Sequence, residues 1–170
     1  MGSSSRDPRL VAVHRGGSLV EADHRLLSGW AADCAARVVP IFEAENPSDS
    51  RPADAVATAL AWAAGDGSMA QARAAAVAAN AAARQATGAA TFAARACGHA
   101  AATAHMADHE LAAAFYALRA VDAMAPDDVE AARSWQLQAL PQPVADLVRS
   151  HMHLRADKFQ GVVKGVEQHT

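Results

Sequence analysis

The sequence predicts an all-α protein, a single-domain bundle of six or seven mostly antiparallel helices. Three observations carry this. Alanine dominates a chain in which 52% of residues are apolar but only 5% aromatic, and alanine has the highest helix propensity of any residue. β-Branched residues are sparse and rarely alternate with polar ones, so no strand pattern emerges. Apolar residues recur instead at three- and four-residue spacing between breaks rich in Pro, Gly and Ser. At 170 residues the chain fits one domain with a sizeable core. Alanine buries little area per residue, so that core has to come from close helix packing.

Residues 1–17 are polar, hold Pro8 and the Gly16-Gly17 pair, and show no period; they are expected to form a loose or disordered arm. The helical domain is expected over residues 18–159. Ser18-Leu19-Val20-Glu21 has the S-x-x-E form of a capping box, which predicts a helix start. The apolar face that follows is Leu26, Leu27, Trp30, Cys34, Val38 and Ile41, with Phe42 alongside. Pro40 falls within that run and kinks it or begins a second short segment. Asp33 and Arg37, at i and i+4, read as a solvated pair, with an Asp33 turned inward beside Trp30 as the alternative.

Asn46 to Arg51 is a turn-rich linker. Pro52 suits the first turn of a helix that carries Trp62 as a core plug and ends at Gly65-Asp66-Gly67. Ser68-Met69-Ala70-Gln71 is a second capping box, opening a helix to about Ala86 that Gly88 closes. Arg73 and Arg84 of this helix read as solvated, and Asn80 is its odd polar member. Gly88 to Met124 is one kinked helix, or two joined near Ala107-Asp108, with Gly98 weakening the run. Pro126 stops it, and Asp127-Asp128 suits the positive end of the next helix, which carries Val129, Ala132 and Trp135. Pro141 and Pro143 break that helix. A last one, Val144 to Phe159, is expected to bury Val144, Leu147, Val148 and Met152, with Leu154 as a further candidate, and residues 160–170 are expected to fray. His151 and His153 stand two apart and cannot share a helical face, so at least one is exposed.

Polar chemistry concentrates at His105, Asp108 and His109. On one continuous helix His105 and His109 would lie about 40° apart and share a face. That face runs back through Ala101, Gly98 and Ala94 and forward through Ala112 to Tyr116. Small residues along such a seam admit a second helix at the short end of the usual range of about 8–10 Å. Asp108 either reaches His105 from i+3 or caps a helix starting at His109. An H-x-x-x-H pair can supply two metal ligands, but Met106 stands where a zincin has its glutamate. No four-ligand set follows from spacing, because Asp33, Cys34, Glu43, His151 or His153 would join only through the fold. No metal and no cofactor are expected. Three readings of the knot stand, in order of preference: partly buried structural histidines, an acid–base or ligand-gripping site, and last a pair of metal ligands.

Composition removes several function classes. The formal charge of −3 and the scatter of Lys and Arg, with Lys158 and Lys164 as the only lysines, argue against nucleic-acid binding. No apolar run approaches the ~20 residues of a membrane span. The first residues, MGSSSRDPR, lack the apolar stretch of a signal peptide, and a cytoplasmic protein is expected. Cys34 and Cys97 read as reduced, buried small hydrophobes.

The segments WAADCAARVVPIFE, RPADAVATALAWAAGD, AQARAAAVAANAAAR and AARACGHAAATAHMADHELAAAFYA resemble, in that order, the bacterial putative immunity proteins of polymorphic toxin systems. The likeness covers about residues 25 to 125. Its most specific pieces are Trp30 to Cys34, Arg51-Pro52 leading to Trp62, and Ala104 to His109. The resemblance implies an all-helical binding module that neutralises a partner toxin and carries out no catalysis. The alternative from the residues is a small helical-bundle enzyme or small-molecule-binding protein acting on an apolar metabolite. In it His105, His109 and Asp108 are the catalytic group, and Trp30, Asp33 and Tyr116 line the ligand. A homodimer through an exposed alanine-rich face is a further possibility.

Overall fold

The protein is described by a computed structural model over residues 6–158; Phe159 and the tail at 160–170, expected to fray, lie outside the described residues. Eight α-helices form: α1 (Glu21–Ala36), α2 (Val39–Glu45), α3 (Arg51–Ala64), α4 (Met69–Gln85), α5 (Gly88–Thr103), α6 (Glu110–Met124), α7 (Val129–Gln138) and α8 (Gln142–Leu154). Among the described residues the only extended pairing is an isolated bridge, Ala12 to Leu19. The all-α bundle forms as expected. The count exceeds six or seven because both breaks left open in the sequence are real. Pro40, in the first turn of α2, starts a new helix rather than kinking the old one, since its missing N–H is an orphan position there anyway. The central run is two helices, parted at residues 104–109.

α5 is the hub. It packs on α6 and α4 most extensively, and also on α1, α2 and α3. Eleven of its 16 residues are buried, eight of them alanine; a helix apolar on every side has to be enclosed on every side. Gly98 shows how close the approach is: a Cβ there would meet Asn80 Nδ2 of α4 at 2.6 Å. Asn80, the odd polar residue of α4, is held by donating to Ala76 O at 2.9 Å. The glycine and the asparagine therefore explain each other.

The remaining stops are local chemistry. Ser68 accepts from Gln71 N at 3.1 Å while Gln71 Oε1 accepts from Ser68 N at 2.9 Å, the reciprocal box that opens α4. Gly65 closes α3 at φ 96°. Gly88, by contrast, is not the stop of α4, which ends at Gln85; it is the first residue of α5. The box at Ser18 does not form either. α1 begins at Glu21 with Val20 as an uncapped start, because Leu19 is pulled out of helical geometry to pair with the preceding segment.

That segment is the one expected to be a loose arm. Residues 6–20 instead carry two 3-10 turns, Pro8–Leu10 and Val13–Arg15. They fold back so that Leu19 N donates to Val11 O at 3.0 Å and Val13 N to Leu19 O at 3.0 Å. Leu10 and Leu19 are 2% and 4% exposed, and both join the core around Leu27, Trp30, Leu111 and Val148. Two buried leucines are enough to hold a short segment against a bundle, at about 1.5–3 kcal/mol each. Leu154 at the other end is 60% exposed, so α8 closes the core with Met152. Cys34 and Cys97 are both free and buried, and burial pushes the Cys97 thiol up to about 12. No described helix is long and apolar enough to cross a membrane.

The α4–α5 contact makes a definite prediction. Gly98→Ala improves helix propensity by about 1 kcal/mol, yet overpacks Asn80 at a cost of about 1–3 kcal/mol. The single variant should lose about 1 kcal/mol in urea unfolding. The Asn80→Ala/Gly98→Ala double variant should be more stable than Gly98→Ala alone; a double variant that is less stable would show that the two side chains do not compete for space.

Candidate functional site

The residues between α5 and α6 decide the site. After Thr103 the chain leaves the helix: His105 and Met106 both donate their N–H to Ala102 O at 3.1 Å, and Met106 is extended at φ −146°, ψ 102°. Ala107–His109 is a 3-10 turn, and α6 follows with no side-chain cap. His105 and His109 therefore do not share a face of one helix. Their rings are still neighbours, with centroids 5.8 Å apart, because the turn folds back on itself.

The partner of His109 is His99, a residue that spacing around the knot did not single out. The two Nδ1 atoms are 3.1 Å apart, so one ring donates and the other accepts. His99 lies flat against Tyr116, at 5.3 Å and 9°, and Tyr116 stacks in turn on Phe92 at 6.4 Å and 19°. A ladder results: Phe92 and His99 rise from α5, His109 and Tyr116 from the start of α6, and each pair is seven residues apart. That two-turn spacing in the two halves of the run is the sequence signal that could have found His99. Burial, His109 and Arg95 together lower the His99 pKa to about 4. His109 is lowered too, by burial against the pull of Asp108 and Glu110. Two imidazoles kept neutral, bonded and stacked form a structural unit of the α5–α6 seam.

Asp108 neither caps α6 nor serves His105. Its Oδ2 accepts from Arg6 Nε at 3.0 Å, which ties the arm to the turn. Tyr116 joins the histidine ladder, as expected of a residue on their seam. Trp30 and Asp33 do not meet it. Trp30 is 1% exposed inside the second core cluster, and its Nε1 donates to Gln136 O at 2.9 Å while Gln136 Nε2 donates to Ala114 O at 3.0 Å. It links α1, α7 and α6 rather than walling a ligand. Asp33 is exposed on α1, and Arg37 covers the Trp135 ring at 4.2 Å.

His105 opens onto space. It lines a cleft of about 440 Å³ with the inner side of the arm, His24 of α1, Trp62 of α3 and Met69 of α4. His105 Nδ1 is buried with no partner among the described residues. Burial first, then His109, lower its pKa. His24 is buried, donates from Nε2 to Thr103 O at 2.6 Å, and sits edge-on to Trp62 at 4.8 Å. Burial lowers its pKa as well.

One more buried polar group lies apart from the cleft. Glu110, wholly inaccessible at the start of α6, meets His151 Nδ1 of α8 through Oε1 at 2.7 Å. His153 is exposed. The pair joins α6 to α8 across the core. No group of three or more His, Cys, Asp or Glu among the described residues is arranged to hold a metal ion.

A family model described as Imm-5 like putative immunity protein matches residues 17–143. No curated protein and no solved structure matches the chain.

Two predictions follow from the buried imidazoles. His99, His24, His105 and His109 all have folded-state pKa values below the usual 6.5. The unfolded chain then binds more protons, so stability is whole above about pH 6.5 and falls as pH drops toward 4. His99 contributes on the order of 3 kcal/mol across that window. Urea midpoints measured from pH 7 to 4 should fall steadily, and His99→Gln should flatten the slope. Separately, His151→Ala strands the Glu110 carboxyl in the core and should cost about 3–5 kcal/mol at pH 7; a loss under 1 kcal/mol would mean that carboxyl has another partner.

Proposed function

Since the chain belongs to the Imm-5 like putative immunity protein family, matched over residues 17–143, we propose that it is a binding module that neutralises a partner toxin and carries out no catalysis. The family match is the observation that carries this reading. The histidine ladder is consistent with it: rings that are stacked, mutually bonded and held neutral serve the α5–α6 seam rather than a substrate. An immunity protein acts by covering or locking the toxin's active site, through an interface of about 1,200–2,000 Å². A formal charge of −3 suits a basic partner without demanding one.

One observation favours a second reading, a helical-bundle enzyme or small-molecule-binding protein. His105 stands at a cleft with an unpaired buried Nδ1, with Asp108 and His109 behind it. In that case acid–base chemistry on an apolar metabolite would run through His105, with the His109 ring beside it.

Titration with whatever toxin domain is encoded beside this gene separates the two. Mixed at equal concentration, the chain should form a one-to-one complex by light scattering and abolish the toxin's activity. His105→Ala should weaken that complex by less than about tenfold. Absence of any complex with the neighbouring toxin overturns the reading, and so does toxin protection that depends on turnover of a small molecule.

A further inference from the structure

We propose that the cleft beneath the N-terminal arm is a binding site for a small organic anion: a carboxylate carried on a short apolar body. The inference is independent of toxin neutralisation. It gives a ligand class to a space whose walls come from five separate parts of the chain.

The cleft has the size of a ligand site, about 440 Å³, against about 300–1,000 Å³ for small-molecule pockets generally. Its inner lining is apolar, with Leu10, Leu19, Ala104 and Ala107 all buried in the core beneath it and Trp62 at one side. The polar lining is unbalanced in sign. The one carboxylate on it, Glu21, is engaged by Arg25. Arg6 is engaged by Asp108. What remains facing the space is Arg15 and the imidazoles of His14, His24 and His105. No ion pair to Arg15 forms among the described residues, and its charge is felt at the rings of His24 and His105. Arg15 disfavours protonation of His24 together with His14, and of His105 together with Arg73 and His109, while Glu21 and Asp108 oppose this.

The imidazoles of buried His24 and half-buried His105 add hydrogen-bonding capacity that the fold leaves unused. Donation to Thr103 O fixes the His24 proton on Nε2 and leaves Nδ1 as the atom that takes a second proton. His105 also lines the cleft; its Nδ1 is enclosed and has no partner among the described residues, so the ring meets the space by its other edge. An anion in the cleft answers both features. It neutralises Arg15, and it lets His24 or His105 take up a proton and donate. Its apolar body would displace water from the leucine and alanine floor. A cation would meet Arg15 unscreened, and a neutral molecule would leave the charge imbalance as it stands.

The arm is what makes the space a cleft, and Gly17 is what lets the arm fold. A Cβ on Gly17 would stand 1.9 Å from the Val11 carbonyl oxygen, which Leu19 N uses. Gly17→Ala therefore displaces the arm while leaving every helix intact.

The test titrates the full chain with octanoate, octanol and octylamine, and follows the histidine ring resonances by NMR and proton uptake by calorimetry. Octanoate should shift His24 and His105 saturably with uptake of a proton near pH 6, and should bind at least about tenfold more tightly than octanol or octylamine. Arg15→Gln, an exposed change, should weaken octanoate by about threefold or more and leave octanol unaffected. Gly17→Ala should abolish the His24 and His105 shifts. Equal binding of octylamine overturns the proposal, as does octanoate binding that leaves both rings unmoved or survives Arg15→Gln unchanged. Loss of toxin binding bears on none of these results.

Discussion

Close approach between alanine faces is the constraint on which this structure depends. An alanine helix offers no large knobs, so burial has to come from the number of neighbours and the shortness of the distance. α5 meets that demand by standing in the middle, in contact with α1, α2, α3, α4 and α6. Its buried surface is alanine, one cysteine, one glycine and one threonine. Where even a methyl group is too much, the chain uses Gly98, and the space goes to Asn80. Larger side chains are kept for a second cluster, where Leu27, Trp30, Leu111, Val144, Val148 and Met152 close α1, α6 and α8 over the other side.

Smooth alanine faces pack well but specify register poorly, because sliding one along the other changes little. The buried polar groups supply what the alanines lack. The His99–His109 bond fixes α5 against the start of α6; the Glu110–His151 pair fixes α6 against α8; Trp30 and Gln136 fix α1 and α6 against α7. Each is a directional contact that a shift of one residue would break, leaving a polar group unpaired in the core. Seen this way, the knot of histidines belongs with the other two contacts as a device for register.

Much of the fold was legible because it is written locally. Alanine propensity marks the helices, and Pro40, Pro126, Gly65 and the Ser68 box mark ends that the structure reproduces. The failures share one cause: a distant contact overrode a local signal. Ser18 makes a sound capping box, but Leu19 does better by pairing with Val11 and entering the core, so α1 starts at Glu21. Asp108 makes a sound cap, but Arg6, 102 residues earlier in the chain, claims it. Trp30 next to Asp33 looks like half of a polar site; Gln136 turns the indole inward as a structural link. Of the residues around the cleft, His105 was in view, but His24 and the arm were not, since nothing in residues 6–20 announces that two leucines will carry them onto the bundle.

The histidines divide by what the backbone does at Met106. Had the run from Gly88 to Met124 stayed one helix, His105 would have faced the seam with His109, and every imidazole would have been spent on packing. The extended residue at 106 turns His105 away from α5 toward the arm, while the 3-10 turn returns His109 to His99. One break thus separates a ring that holds the bundle together from a ring that looks onto a cleft. The helices need the first. The arm that covers the second is anchored through Arg6 to the same turn.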